Sequence, residues 1–137
     1  MSHELDPLIT QVVRCAYTVQ TALYPGYQEV VYKKALLIEL ITQGINARAE
    51  TPLSIHYRGQ LIGDYYADIL VEDQLIIELK ALTTILPQHL AQLANYLQAA
   101  GLEIGLLLNF GQKPLQIKRV LRGHVKPALS ETRRLLS

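Results

Sequence analysis

The spacing of apolar residues divides the first part of the chain into two helices. Apolar residues recur every three or four positions from Leu5 to Leu23, the period of an amphipathic helix, and Tyr24-Pro25-Gly26 ends the pattern. A second helix is predicted from Gln28 to Gln43, and Gly44 follows it where a left-handed cap is expected. Apolar residues nearly encircle this second helix, so we expect it to be packed on more than one side.

The remaining pattern predicts strands interrupted by one further helix. Alternating and continuous apolar runs indicate strands at Ala47–Tyr57, Leu61–Val71, Leu75–Leu82, Ile104–Phe110 and Leu115–Leu121, with a helix at Pro87–Ala100. Short turns make the first three strands an antiparallel meander, whereas the helix is long enough to return the fourth strand parallel to the third. The prediction is an α/β fold with a mixed β-sheet flanked by helices.

Two charges stand inside the most apolar of these strands. Glu78 and Lys80 project from one face of the strand, while Ile77 and Leu79 fill the other. A three-residue loop, Glu72-Asp73-Gln74, would place Asp68 directly opposite Glu78. On this alternation, the side chains that share one face of the preceding strand are those of Asp64, Tyr66, Asp68 and Leu70.

The opposed carboxylates need a positive charge between them. Their Cβ atoms would lie roughly 5 Å apart, so the carboxylates of Asp68 and Glu78 repel each other without a counter-charge. Lys80 could supply that charge, which would make the site a structural ion cluster. A hard divalent cation is the alternative, because Mg²⁺ takes a few carboxylate oxygens and keeps several waters. Spacing alone leaves both interpretations open.

Length and charge add a basic tail to this picture. At 137 residues the chain has the size of about one domain, which we predict at residues 1–121. Residues 1–110 hold six Lys/Arg against eleven Asp/Glu, whereas residues 111–137 hold seven against one. The predicted tail, residues 122–137, is therefore basic, which fits either a solvated segment or a contact with nucleic acid.

Cysteine content and hydropathy indicate a cytoplasmic protein. No apolar run approaches the ~18 residues of a membrane span, and acidic residues stand where a signal peptide would be basic. Cys15 is the only cysteine, so no disulfide framework or thiolate metal site is expected, and we predict a small buried side chain.

The motifs carry a resemblance to a known family. Asp68 followed by Glu78-Leu79-Lys80 resembles the D…(D/E)-x-K signature of the PD-(D/E)XK nuclease superfamily. The stretch from Gly26 to Tyr32, GYQEVVY, is similar to the G-x-x-E-x-x-Y motif that names the GxxExxY family of predicted nucleases. The similarity covers about residues 8–121. The chain departs from it at Gln20, where relatives usually carry His, and at Tyr24, where Gly is common.

The resemblance implies a restriction-endonuclease-like core and a set of site residues. Asp68, Glu78 and the Leu79 carbonyl would be metal ligands, and Glu29 would complete the acidic cluster from the second helix. Lys80 would orient or deprotonate water, or stabilise transition-state charge. Glu29 has a structural interpretation as well, as an acid in the first helical turn that pairs with Lys33.

A polar stripe on the third helix extends the resemblance. Gln92 and Tyr96 are four residues apart and therefore share one face. They resemble the Q-x-x-x-Y element of the RecB-like branch, which lies beside the metal site and completes an implied catalytic set of Asp68, Glu78, Lys80, Gln92 and Tyr96. A simple surface stripe is the alternative.

The sequence thus leads to a hypothesis with two alternatives. The first is a Mg²⁺-dependent nuclease, with Mn²⁺ as a substitute, that hydrolyses phosphodiester bonds in DNA or RNA. A nuclease-fold domain that only binds nucleic acid or protein is the second, and a structural ion cluster without metal is the third. A small one-site nuclease that cuts both strands of a duplex commonly needs to dimerise, so a homodimer is expected for such a substrate.

Overall fold

A computed structural model describes residues 3–23 and 25–123 of the chain. Its elements follow the predicted order, with bounds that differ from the predicted ones by at most two residues. The helices are α1 (Asp6–Ala22), α2 (Glu29–Thr42) and α3 (Pro87–Ala100). The strands are β1 (Ala47–Tyr57), β2 (Gln60–Val71), β3 (Leu75–Lys80), β4 (Ile104–Asn109) and β5 (Gln116–Leu121).

The strands form one mixed sheet in the order β1-β2-β3-β4-β5. Neighbouring strands are antiparallel except β3 and β4, which the α3 crossover leaves parallel, so the predicted α/β fold and topology are confirmed. The β1–β2 hairpin is much longer than its junction with β3, which pairs only with residues 69–71 of β2. Most of the hairpin therefore extends beyond the rest of the sheet as an arm.

Helices cover both faces of the sheet and create two apolar cores. The first core joins α1 and α2 to the sheet through Val12, Leu36, Ile77, Leu79 and their buried neighbours. Leu93 and Leu97 of α3 pack with Ile76 and Leu107 to form the second core on the other face. Burial on both faces explains why β3 and β4 are almost entirely apolar. Cys15 is a free buried thiol in the first core, as predicted.

Side-chain alternation breaks in the middle of β1 and β2. Ile69 packs in the first core while Ala67, two residues earlier, packs in the second, and Ala47 and Leu53 of β1 divide in the same way. The break falls at Asp68 and at Glu50, whose φ of 51° is unusual for a residue other than glycine. The predicted shared face of Asp64, Tyr66, Asp68 and Leu70 is therefore wrong, and it is Tyr65 that contacts α3, through Tyr96.

The second helix is packed on one side only. Its buried residues are Tyr32, Leu36 and Leu40, one stripe that faces the first core. Ile38 and Ile41 are more than half exposed, so the predicted packing on several sides is wrong for the part of the chain that the structure describes. An apolar residue on α2 does not by itself indicate a neighbour, because exposed apolar surface is common on proteins.

Gln20 explains one departure from the family pattern. Its Nε2 donates to the carbonyl of Gln112 at 2.7 Å, and its Oε1 accepts the N–H of Leu115 at 3.0 Å. The side chain thus holds the loop between β4 and β5 against α1. The second departure, Tyr24, and residues 124–137 of the predicted tail lie outside the described residues. Within the described ranges, no helix is long and apolar enough to cross a membrane.

Candidate active site

The acidic pair lies where β2 and β3 separate. The loop of residues 72–74 sets the predicted register, with Ile69 opposite Ile77, and the next pair along the strands is Asp68 and Glu78. Side chains replace the backbone ladder at this point. The Asp68 N–H donates to Oε1 of Glu78 at 3.0 Å, and the Leu79 N–H donates to Oδ2 of Asp68 at 2.9 Å. The two carboxylates are therefore locked beside each other.

The electrostatic cost of this arrangement falls on Glu78. Its side chain is only 7 % exposed. Burial and the neighbouring charge of Asp68 raise the pKa of Glu78 to about 9, although the Asp68 N–H bond and the charge of Lys80 act in the opposite direction. Without a cation, Glu78 therefore holds a proton at neutral pH. A bound divalent cation would favour the ionised form of both carboxylates.

The lysine that contacts this pair comes from α2. The Lys33 ammonium lies 3.7 Å from Oδ1 of Asp68 and makes a short ion pair with Glu50 of β1. Burial lowers the pKa of Lys33, but its hydrogen bond to Glu50 and the charge of Asp68 outweigh burial and leave the pKa raised. The predicted Glu29–Lys33 pair is therefore not the close contact, since Lys33 binds the acids of β1 and β2.

Glu29 begins α2 and faces the same cluster. Burial raises its pKa, the charge of Lys80 lowers it, and the charge of Asp68 raises it again. These influences place Glu29 within electrostatic reach of both Lys80 and Asp68. The structure thus places Glu29 within electrostatic reach of Asp68, with no hydrogen bond to either acid of the pair among the described residues.

The tyrosine of the same motif holds the start of α2 in place. The ring of Tyr32 is buried and stacks on Phe110, with ring centroids 4.8 Å apart. Its hydroxyl accepts the N–H of Tyr27 at 3.3 Å. Because Phe110 directly follows β4, Tyr32 links the turn before Glu29 to the end of that strand.

Asn109 and Gly111 fix the chain just after Lys80. Asn109 is fully buried, and its amide accepts the N–H groups of Leu82 and Gly111 and donates to the Leu82 carbonyl. A Cβ on Gly111 would lie 2.3 Å from the Leu82 carbonyl oxygen, so only glycine fits at this approach. The Phe110 N–H also donates to the Lys80 carbonyl at 2.8 Å. Lys80 itself makes no ion pair with a described residue, so its ammonium lies beside the acids without a fixed partner.

A comparison of the sequence with protein families shows which superfamily the chain belongs to. A family model described as the PD-(D/E)XK nuclease superfamily matches residues 6–120. The chain belongs to this superfamily. No curated protein and no solved structure matches it. Membership supports a nuclease-type function with nucleic acid as the substrate.

Superfamily nucleases generally use divalent metals, and the site suits a cation that needs few protein ligands. Asp68 and Glu78 supply hard oxygen donors, and burial together with the charge of Asp68 raises the pKa of Glu78, a shift that a bound cation would oppose. In the described ranges 3–23 and 25–123, no group of three or more His, Cys, Asp or Glu side chains is arranged as a metal site. Two carboxylates and several waters match the way in which proteins commonly bind Mg²⁺.

Gln92 and Tyr96 belong to α3, which lies on the opposite face of the sheet from α2 and its residues Glu29 and Lys33. Burial and then the charges of Glu78 and Asp68 raise the pKa of Tyr96, which places its hydroxyl near the carboxylates. Gln92 lines a cleft between α3 and the β1–β2 arm, and no described residue hydrogen-bonds its amide. The Tyr96 hydroxyl therefore lies within electrostatic reach of Asp68 and Glu78, whereas the Gln92 amide makes no hydrogen bond to either acid in the described ranges.

The sequence predicted no role for Glu50 or Asn109, and it paired Lys33 with Glu29 instead of with Glu50 and Asp68. Glu50 lies level with Asp68 in the β1–β2 register, between the pairs Ala49–Ile69 and Thr51–Ala67. The predicted bounds of β1 and β2 already set the register of the first hairpin, and that register places Glu50 opposite Asp68. Asn109 ends an apolar strand, and a polar residue there was a visible signal of a buried hydrogen-bond network.

Proposed function

We propose that the chain is a metal-dependent nuclease of the GxxExxY type, which hydrolyses phosphodiester bonds in DNA or RNA. Membership of the PD-(D/E)XK superfamily supports the reaction class. The packing of Tyr32 and the position of Glu29 give two of the three named residues of the G-x-x-E-x-x-Y motif a role in this fold. We place the nuclease domain at residues 1–121, with residues 122–137 as a basic tail.

One observation carries the proposal. Asp68 and Glu78 meet at the strand ends, where burial and then the charge of Asp68 raise the pKa of Glu78 to about 9. We propose that these two carboxylates, the Leu79 carbonyl and Glu29 hold Mg²⁺, or Mn²⁺ in its place. Such a cation supplies Lewis acidity and lowers the pKa of water at the scissile phosphate.

The chain's own side chains would then act on the phosphate and the attacking water. The Lys80 ammonium, which has no fixed partner among the described residues, would orient or deprotonate the water, or offset charge that develops on the phosphorane-like transition state. Asn109 and Gly111 serve this role indirectly, because they fix the backbone on the C-terminal side of Lys80.

Residues farther from the carboxylates would position the substrate. Gln92 and Tyr96 lie on the α3 side of the pair and are proposed to hold the strand that passes it. The basic segment from Lys113 onward is proposed to contact phosphates. A homodimer is proposed only for a duplex substrate. The single buried, free Cys15 is consistent with a reducing, cytoplasmic environment.

The contact of Lys33 favours a second candidate function. An ammonium 3.7 Å from Asp68 already supplies part of the positive charge that a metal would bring. A domain that keeps the fold but only binds nucleic acid or protein, with Lys33 as a structural partner of Asp68, is therefore the alternative. The same contact supports a structural ion cluster without metal.

A cleavage assay separates these functions. Defined single-stranded, duplex and branched DNA and RNA are incubated with Mg²⁺ or Mn²⁺, with wild-type protein, Lys80→Ala and, as a matched lysine control, Lys34→Ala. Lys34 is exposed on α2 and makes no ion pair among the described residues. We expect cleavage by wild type and Lys34→Ala and loss of cleavage in Lys80→Ala. Equal cleavage by all three proteins would contradict the assignment of Lys80, and no cleavage by any would favour the binding module.

A further inference from the structure

A large cleft lies on the α3 side of the acidic pair, with Tyr96 in its lining. It has a volume of about 670 Å³ and is bounded by α3 on one side and the β1–β2 arm on the other. Sites for small molecules commonly have ~300–1,000 Å³. Tyr65 forms its wall on the arm, only three residues from Asp68, which corresponds to about 10 Å along a strand. A group bound in the cleft would therefore lie beside a phosphate at the carboxylates.

The lining of the cleft combines apolar surface with a row of amide groups. Four amides point along one side of α3, and none of the eleven lining residues is Asp, Glu, Lys or Arg; the amides are those of Gln88, Gln92, Asn95 and Gln98. None of the four amides has a hydrogen-bond partner among the described residues. Each amide offers both donors and an acceptor, which matches the edge of a nucleobase. Phosphate, in contrast, is bound mainly by Lys and Arg.

Two tyrosines add a surface for stacking. The rings of Tyr65 and Tyr96 lie 5.7 Å apart at an angle of 40°, which leaves no space for a base between them. Tyr65 is 44 % exposed, and it also lies against Gly63, where an added Cβ would come 3.1 Å from the ring. The glycine thus leaves room for the ring on this face of the strand. The exposed part of the ring is available to a base in the cleft.

We propose that this cleft binds one unpaired nucleobase of the substrate. The inference rests on the proposed function, because it takes nucleic acid as the ligand. Stacking on Tyr65 and hydrogen bonds to the α3 amides recognise the base, while its backbone phosphate lies toward Asp68 and Glu78. A base in an intact duplex is stacked and paired, so it cannot enter. The substrate is therefore a single strand or a locally unpaired segment of DNA or RNA.

Binding measured without metal tests this inference separately from catalysis. The full chain is titrated in EDTA against fluorescently labelled single-stranded DNA, single-stranded RNA and the matching duplex, and anisotropy is recorded. The proteins are wild type, Tyr65→Ala, Tyr65→Phe and Tyr66→Ala. Tyr66 is the matched control because it is 51 % exposed on the other face of the same strand.

We expect Tyr65→Ala to weaken single-strand binding roughly 5- to 150-fold, the range for loss of one base stack. Tyr65→Phe keeps the ring and should bind within about twofold of wild type, as should Tyr66→Ala. Duplex binding should not change. A difference between the DNA and RNA titrations would report a contact with the 2′-hydroxyl. Equal losses in Tyr65→Ala and Tyr66→Ala, or an equal loss for the duplex, would overturn the proposal.

A second probe does not depend on the folding of any variant. A single strand that carries 2-aminopurine is titrated with wild-type protein, and stacking in the cleft should quench its fluorescence. Unchanged fluorescence in the bound complex contradicts the base pocket. Should cleavage be absent while Tyr65-dependent binding persists, the nuclease proposal fails and the base pocket stands; the reverse result leaves the nuclease proposal intact and removes the pocket.

Discussion

Asp68 and Glu78 are each bonded to the strand that carries the other acid. The N–H of Asp68 donates to the Glu78 carboxylate, and the Asp68 carboxylate accepts the N–H of Leu79. Each acid therefore uses one oxygen to hold the backbone where the strand ladder stops. These bonds keep the two acids side by side. Because burial and the charge of Asp68 keep a proton on Glu78, a bound cation would take the place of that proton.

Stability of the metal-free protein should fall as the pH rises. An unfolded glutamate ionises near its ordinary value of 4.5, whereas folded Glu78 keeps its proton up to about 9. The folded state binds more protons in this window, so the contribution of Glu78 is complete below pH 4.5 and is lost toward pH 9, by at most ~1.4 kcal/mol per pH unit. The stability of Glu78→Gln should vary less with pH than that of wild type, and it should exceed that of wild type at the alkaline end.

Thermal melts in EDTA across this pH range measure the effect. Glu4→Gln is the matched control, because Glu4 is exposed and forms no ion pair among the described residues. Its melting temperatures should follow those of wild type. A Glu78→Gln profile parallel to the wild-type profile would show that Glu78 is ionised throughout.

Divalent cations should stabilise the wild type and not Asp68→Asn. A ligand present at a hundred times its dissociation constant stabilises the folded state by ~2.7 kcal/mol, which is a shift of several degrees in the melting temperature. The measurement is a thermal melt with and without Mg²⁺ or Mn²⁺ at neutral pH. An equal rise in melting temperature in both proteins would place the metal elsewhere. No rise in either protein would favour the structural ion cluster.

Removal of Lys33 should tighten cation binding. The ammonium near Asp68 repels a cation and neutralises one of its ligands, so Lys33→Ala should bind Mn²⁺ about fivefold more tightly, an effect of ~1 kcal/mol for a partly exposed ion pair. Isothermal titration of Lys33→Ala, Lys34→Ala and wild type tests this. Weaker binding in Lys33→Ala alone would mean that Lys33 instead orients the acidic residues for the metal.

Asn109→Ala should destabilise the protein by about 3 kcal/mol. The substitution leaves the N–H groups of Leu82 and Gly111 and the Leu82 carbonyl without a partner in a buried site. Chemical denaturation should report this loss, and Asn46→Ala, at an exposed site, should stay within about 0.5 kcal/mol of wild type. A small effect at Asn109 would indicate that water replaces the amide.

The basic tail should make nucleic-acid binding strongly dependent on salt. Replacement of Lys126, Arg133 and Arg134 by Gln removes three charges from residues 122–137. If each contacts a phosphate, the slope of log affinity against log salt should decrease by about 2–3 for these three contacts. Anisotropy titrations at several salt concentrations give the slope. An unchanged slope would assign the tail no phosphate contact.

Much of the fold was readable from the sequence because local signals agreed with one another. The bounds of β1 and α3 were predicted without error, and the loop of residues 72–74 gave the register that aligns Asp68 with Glu78. Turn residues and apolar periodicity are properties of the local sequence, and tertiary packing did not change the elements that they predict. The antiparallel meander of β1–β3 and the parallel return of β4 followed from the lengths of the connections.

The errors arose where tertiary structure overrides local pattern. Strict alternation assigned Asp68 and Tyr66 to one face, but the positive φ of Glu50 accompanies a crossing of both strands from one core to the other. The partner of Lys33 depended on this crossing as well, because it brings Glu50 and Asp68 to α2. Neither feature has a sequence signature in a chain considered alone.

The stacking of Tyr32 on Phe110 divides the site into two mechanical parts. Tyr32 ties the start of α2 to the end of β4, and Asn109 ties the segment after Lys80 to the same point. Glu29 and Lys80 thus share one anchor, and Asp68 is bonded to β3 beside them, whereas Tyr65 belongs to the hairpin arm. Bending of the arm would change the distance between Tyr65 and the acidic pair without changing the spacing among Glu29, Asp68 and Lys80, so the width of the cleft can vary while the site of hydrolysis stays fixed.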